Sequence, residues 1–403
     1  MTQFPVKDGE LQIGGLPLSR LAERVGQTPF YAYDRSLLTR RATDLRAALP
    51  TAIQLHYAMK ANPMPALLGH MVGLVDGVDV ASAGELKIAL DAGANPHEIS
   101  FAGPGKRPEE LRQAVACGIL INLESFREVT LLAAIARTLD IAARIAVRVN
   151  PDFELKSSGM KMGGGPKQFG VDAEQVPALL AAIGQHGDAL SFEGFHLFAG
   201  SQNLKPEAIV EAQQKSFDLA LRLAADAPAP IRCLNLGGGF GIPYFPGEQA
   251  LDLAPISANL ATLAERARHT MPQAKLVIEL GRYLVGEAGI YVTRVIDRKI
   301  SRGQVFLVVD GGLHQHLSAS GNFGQVIRKN YPVIIGNRID STDREVASVV
   351  GPLCTPLDLL ADRMELAVAQ PGDLVVIHQS GAYGLSASPQ GFLGHPAPVE
   401  VLI

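Results

Sequence analysis

The chain has 403 residues, long enough for two domains or for a barrel with a smaller companion. Hydrophobic residues make up 47% of it, yet no apolar run reaches the roughly 18 residues that a membrane span needs, so no membrane partner is expected. Lys+Arg total 36 against Asp+Glu 40, a net charge of -4 without long single-sign runs; this argues against a nucleic-acid surface and leaves small molecules or proteins as partners.

The opening MTQFPVKDGELQIGG lacks the basic stretch, apolar core and small-residue cleavage site of a secretory signal, so the expected compartment is the cytoplasm. Its ELQIGGLPL alternates apolar residues and predicts that segment 1–29 lends a strand to the β-rich C-terminal part. From about residue 50 to 285, short apolar runs alternate with longer Ala/Leu-rich stretches of helical period. The strand candidates are AIQLHYAM (52–59), LVDGVDVA (74–81), EISFAG (98–103), GILINLE (118–124), ARIAVRVN (143–150), FEGFHLF (192–198), RCLNLGG (232–238) and KLVIEL (275–280). Eight such units predict a closed (β/α)8 barrel over 30–285, an α/β TIM-type fold, with an open doubly wound sheet as second choice. After 286 the texture changes to β-rich pieces such as IYVTRVIDRK and QVFLVVDGG, which predict an all-β domain over 286–403.

A barrel works at the C-terminal ends of its strands, and polar or glycine-rich groups gather there. Lys60 ends the first strand in HYAMKANP. It is either an amine that reaches solvent along its stem or one activated by partial desolvation. The run NLGGGFG places Gly237, Gly238 and Gly239 after the seventh strand, where a backbone turn can hold a phosphate or merely turn. IELGRYL sets Glu279 and Arg282 at the end of the eighth strand. These are either a surface ion pair or an acid for a pyridine nitrogen beside a phosphate partner. His196, in GFHLFAGSQ, suits a core histidine, a base or a flat surface for an aromatic ring. His314 and His316 alternate in GGLHQHL without Cys, Asp or Glu to complete a ligand set, so no metal is expected. Cys117 and Cys233 occupy apolar contexts, whereas Cys354 lies between two proline turns in GPLCTPLD.

Together FYAYD, YAMKANP, VDVASAGE, FAGPGK, NLGGGFG, IELGRY, VVDGG, GPLCTPLD and SGAYG resemble, in order and spacing, the fold-type III pyridoxal-phosphate decarboxylases, the family of diaminopimelate and ornithine/arginine decarboxylases. The resemblance implies a pyridoxal 5'-phosphate barrel followed by a β domain, as in alanine racemase and ornithine decarboxylase. It implies that Lys60 forms the Schiff base and His196 stacks on the pyridine face. Glu279 would pair with the ring nitrogen, and Gly237, Gly238, Gly239, Gly281, Arg282 and Tyr383 would hold the phosphate. Asp79 and Glu85 match acidic positions near the cofactor, and Cys354 matches a cysteine supplied by a second subunit. A head-to-tail homodimer with shared sites follows from that match. Arg328, Tyr331, Thr355 and Asp358 are the implied substrate contacts.

Diaminopimelate and ornithine enzymes carry an acid after the cysteine to receive a distal ammonium; here that residue is Thr355. The variants MKMGGGPKQFG, HLFAGSQNL, GGGFGIPYF, GPLCTPLD and SGAYGLSASPQGFLGHP look closest to the glutamyl-[acyl-carrier-protein] and exosortase-associated decarboxylases, which points to a carrier-tethered or unusual substrate, with a diaminopimelate- or ornithine/lysine-type decarboxylase acting on a free amino acid as the alternative. An alanine-racemase-like isomerase is disfavoured by the acid at Glu279, and a non-catalytic single-barrel cofactor carrier by the β-rich C-terminal third.

Overall fold

Eight of the apolar runs become the parallel strands Ile53–Ala58, Gly77–Val80, Ile99–Phe101, Leu120–Leu123, Ala143–Asn150, Leu190–Leu197, Cys233–Gly238 and Lys275–Leu280. Each pairs with the next, and the eighth returns to the first with Leu276 opposite Ile53 and Leu280 opposite Tyr57, so the barrel closes and leaves no free edge. A two-residue strand, Val171–Asp172, adds beside the fifth. The computed structural model describes residues 3–154, 160–161, 163–323, 325 and 328–403; Met162 of the glycine-rich MKMGGGPKQFG segment lies outside them. Among the described residues no helix is long and apolar enough to cross a membrane.

Period-two alternation sets which side chains enter the barrel. On the first strand Ile53, Leu55 and Tyr57 turn to one face and Gln54, His56 and Ala58 to the other. The second set faces inward, where His56, Asp79, Ser100 and Asn122 from four successive strands lie within reach of one another. Gly77 is the clearance this needs: a Cβ there would stand 2.5 Å from His56 Nε2. Helices between strands start on local signals. Ser82 caps Ala83–Asp91 by accepting the Glu85 amide at 3.1 Å, and Pro108 opens Pro108–Ala116 while Glu110 accepts the Arg107 amide.

Two compact units are formed, one of Arg41–Ile242 with Gln249–Tyr283, the other of Met1–Arg40, Pro243–Glu248 and Leu284–Ile403. In the second, the 13-residue strand Gly289–Ser301 is the spine. Its first half pairs with Leu374–Ile377 and Phe30–Tyr33, its second half with Gln304–Val309. Phe30–Tyr33, where the sequence reading began the barrel, is therefore a strand of the β-rich unit: all four of its residues are buried, and Val399–Leu402 runs parallel on its other side. A continuous apolar run buried on both faces carries no alternation by which to tell the two sheets apart. Glu10–Ile13 forms a small meander with its two neighbouring strands, and the Leu11 amide donates to the Gly336 carbonyl at 2.9 Å.

At the barrel, Lys106 and Glu128 form a nearly inaccessible ion pair at 3.0 Å, and Arg148 and Glu124 another at 2.9 Å. Glu124 also receives the amides of Gly103 at 2.6 Å and Gly170 at 3.0 Å, so both charges fasten loops that leave the strand ends. Breaking a buried pair strands its partner, so Lys106→Ala is expected to cost about 3–5 kcal/mol in chemical unfolding followed by far-ultraviolet circular dichroism. The apolar double replacement Lys106→Met with Glu128→Leu is expected to recover most of that loss; an equally unstable double variant would show that packing, not charge, is at stake.

Candidate active site

Lys60 sits in the single 3-10 turn Met59–Ala61 that ends the first barrel strand, its side chain exposed and its Nζ 5.6 Å from the centre of the Phe198 ring. Gly281, at the end of the neighbouring eighth strand, lets the two chain ends approach, since a Cβ there would lie 2.8 Å from the Ala61 Cβ and 3.0 Å from the Ala58 carbonyl. Glu85 accepts the Ala81 amide at 2.6 Å, and burial raises its pKa against the opposing pull of that bond and of Lys60.

Glu279 is the centre of the buried polar chemistry. Its Oε2 lies 3.1 Å from His196 Nε2, at ion-pair distance without the alignment of a hydrogen bond, and accepts from Asn235 Nδ2 at 3.0 Å. Burial opposes its charge, but His196, Lys60 and Arg148 outweigh that and hold the carboxyl at about 2. His196 is 2% exposed, and among the described residues neither ring nitrogen has a hydrogen-bond partner. Asn235 also accepts the Gly237 amide at 2.8 Å, which ties the carboxylate to the glycine turn. Gly237 and Gly239 have φ of +69° and +75°, and a Cβ on Gly237 would stand 2.6 Å from the Leu197 carbonyl. Arg282 follows, half-buried, as the first residue of the short helix Arg282–Val285.

Asp79 belongs to the same barrel interior. Its Oδ1 takes the Ser100 hydroxyl and stands 3.3 Å from His56 Nδ1, while Oδ2 has no hydrogen-bond partner. Asn235, Arg148 and Phe198 escaped the sequence reading. Asn235 alone left a signal, a polar residue inside an apolar strand two places before the first glycine.

In the β-rich unit Cys354 is exposed on the turn Gly351–Asp358. Thr355 is half-buried within that turn, its amide donating to Leu353 at 2.8 Å. Asp358 corrects the expectation of a substrate contact. It is 3% exposed, with Oδ1 taking the Leu313 amide at 2.6 Å and Oδ2 the Leu353 amide at 2.9 Å. Arg328 is likewise engaged, donating to the carbonyls of Ser320 at 3.0 Å and Leu359 at 2.7 Å and to Asn330 Oδ1 at 3.2 Å. Tyr331 is buried against Tyr244, ring centres 4.8 Å apart. Tyr383 has φ +53° and its carbonyl accepts the Ser318 hydroxyl at 2.7 Å. Burial holds His314 at about 4 and His316 at about 3, so both are neutral near pH 7, and His316 Nε2 lies 2.8 Å from Ser380 Oγ.

Comparison with known proteins matches residues 35–286 to the family described as pyridoxal-dependent decarboxylase, pyridoxal binding domain. The chain is 43% identical to the L-glutamyl-[BtrI acyl-carrier protein] decarboxylase of Niallia circulans, over 93% of this chain and 89% of that one. It is 35% identical to the diaminopimelate decarboxylase of Aquifex aeolicus, over 98% and 91%. Among solved structures, diaminopimelate decarboxylase from Helicobacter pylori complexed with L-lysine superposes with a TM-score of 0.84 at 28% identity, covering 96% of this chain and 94% of that one.

The residues at the barrel's strand ends fit pyridoxal phosphate. They include an amine on a tight turn at Lys60, a buried and ionised carboxylate at Glu279, and a buried imidazole with both nitrogens unbonded at His196. A turn of three glycines at Gly237–Gly239 stands ready for an anion. With a family match over more than half its length and relatives above 30% identity along nearly all of it, the chain belongs to the pyridoxal-dependent decarboxylases.

Proposed function

We propose that this decarboxylase acts on an amino-acyl group whose far end is tethered to a carrier, a glutamyl-type substrate, rather than on a free diamino acid. The observation that carries the reading is the turn bearing Cys354. Thr355 stands in the place of an acid, and the one carboxylate in the turn, Asp358, has both oxygens taken by backbone amides. A distal ammonium would find no carboxylate there to receive it, whereas a thioester brings none. The relationship to a carrier-linked glutamyl decarboxylase supports the same reading.

When bound, pyridoxal phosphate supplies the electron sink that takes up the pair released as carbon dioxide departs. Lys60 is the amine that would hold the cofactor. Glu279, its carboxyl held low by His196, Lys60 and Arg148, would keep a proton on the ring nitrogen, and Asn235 fixes which way that carboxylate points. His196 offers its flat, nearly inaccessible face to the ring. The turn Gly237–Gly239, with Gly281 and Arg282, is assigned to the phosphate, and Asp79 and Glu85 to the polar surroundings of the ring. Cys354, from a second copy in a head-to-tail pair, returns a proton to Cα. Its exposed position on a narrow turn supports that role.

Carbon dioxide release is expected from a glutamyl carrier-protein thioester and not from free lysine, ornithine or diaminopimelate; turnover of a free diamino acid at the higher rate would sink the substrate assignment. Lys60→Ala and Cys354→Ala, each inactive alone, are expected to regain up to about a quarter of the native rate when mixed, because half of randomly paired dimers are mixed and each keeps one intact site. No recovery after the subunits have exchanged would count against shared sites. Glu279→Gln is expected to lower kcat on the order of a hundredfold. A carboxyl depressed to about 2 stays charged as pH falls through the usual carboxylate range. The acid limb of the rate profile therefore belongs to other groups, and in Glu279→Gln it should keep its position. A limb that vanishes in the variant would contradict this.

A further inference from the structure

A cavity of the β-rich unit, about 960 Å³ and lined in part by Arg328 and Tyr331, has no part in the chemistry proposed above. It lies at the upper end of the roughly 300–1,000 Å³ that small-molecule sites span. Its walls carry Tyr244, Phe245 and Tyr331, with ring centres 4.8 Å apart for Tyr244 and Tyr331 and 6.4 Å for Phe245 and Tyr331, and Met364 beside them. Such walls suit a flexible chain that packs by its length.

Two further features narrow the occupant. Gln379, 2% exposed, lines the cavity with its Nε2 donating to the Pro243 carbonyl at 3.2 Å and its Oε1 left without a donor. It is held at φ +53°, a conformation that a non-glycine residue keeps only when its surroundings impose it. A buried acceptor on a cavity wall is suited to take an N–H from an occupant. The charges are sorted as well. Glu365 is paired with Arg344 at 3.1 Å, Glu248 accepts the amides of Tyr244 and Phe245 at 2.8 and 3.1 Å, and Glu287 has a partner of its own. Lys329 keeps its ammonium 4.9 Å above the Phe245 ring, exposed and, among the described residues, without a paired carboxylate. An occupant with apolar methylenes, amide N–H groups and an anionic end satisfies all three.

We propose that this cavity receives the pantetheine arm of an acyl thioester, its methylenes against Tyr244, Phe245 and Tyr331, an amide N–H toward Gln379 Oε1 and its phosphate toward Lys329. The inference rests on the carrier-linked reading above and extends it to the site that recognises the carrier's prosthetic group. The same arm occurs in coenzyme A, so its source is a separate question.

The test is equilibrium binding to the cofactor-loaded protein, with S-acetyl 4'-phosphopantetheine and acetyl-coenzyme A as probes. The native protein is expected to bind the phosphopantetheine probe. Lys329→Glu, an exposed change that does not threaten folding, should weaken it about threefold to tenfold, and Phe245→Ala about tenfold. Tighter binding of acetyl-coenzyme A would assign the arm to a free coenzyme; equal or weaker binding would assign it to a carrier protein. No binding to the native protein, or binding that Lys329→Glu leaves unchanged, overturns the proposal. Decarboxylation assays judge the carrier-linked reading independently, so an enzyme that binds the arm yet prefers a free amino acid would sink that reading and leave the cavity assignment standing.

Discussion

A carboxylate ionised inside a barrel is the constraint on which the remaining architecture depends. Glu279 stands where burial alone would favour its neutral form. Its charge survives because His196 and Asn235 lie against one oxygen and Lys60 and Arg148 add to the local positive potential. Each partner arrives on a different strand, so ring closure is what brings them together. The backbone has to yield room for it: Gly238 lies so close to the Glu279 carbonyl that no side chain fits there, and Gly281 does the same against the Lys60 turn.

Arg148 couples this centre to a second charged layer. It pairs with Glu124, which in turn takes the amides of Gly103 and Gly170, and the Glu124 amide donates to Glu128, the partner of Lys106. Coulombic gain from Arg148 and Lys106, with the Gly170 amide, keeps the Glu124 pKa low even though burial pushes the other way. Loops leaving the third to fifth strands are thereby fastened by charge rather than by apolar packing. A mouth lined with polar side chains cannot be stabilised by hydrophobic burial without closing it, so full hydrogen bonding and ion pairing must carry that load.

What could be read from residues alone follows the same physics. All eight barrel strands were legible because each apolar run is bounded by helical stretches of another period, and Lys60, Gly237 and Glu279 stood out as candidates because polar or glycine residues interrupt those runs at their ends. Phe30–Tyr33 was misplaced because FYAY is buried on both sides and looks the same whichever sheet receives it. Arg148 was invisible for a related reason: alternation marks it as inward-facing, but only the closed ring shows that it reaches a carboxylate on another strand. Asp358 and Arg328 were read as ligand contacts from charge and motif. Sequence records that a charge is present, not whether backbone amides or carbonyls have already taken it.

That distinction bears on substrate choice. Asp358 is wedged where Gly312 and Gly351 leave no space for a Cβ, and it ties the segment at Leu313 to the turn at Leu353. Freed from the ligand, it acts as a clamp on the turn that carries Cys354. Burial raises its pKa, while the two amides and His395 pull it down. A carboxylate so placed could not also turn toward an ammonium without releasing two amides into a buried space, at about 1–3 kcal/mol for each donor left unsatisfied. With Thr355 offering only a hydroxyl, the turn presents no uncommitted carboxylate to a cationic tail. On the carrier-linked reading proposed above, rejection of a free diamino acid would need no added steric block, because the turn's one carboxylate is already spent on holding the cysteine in place.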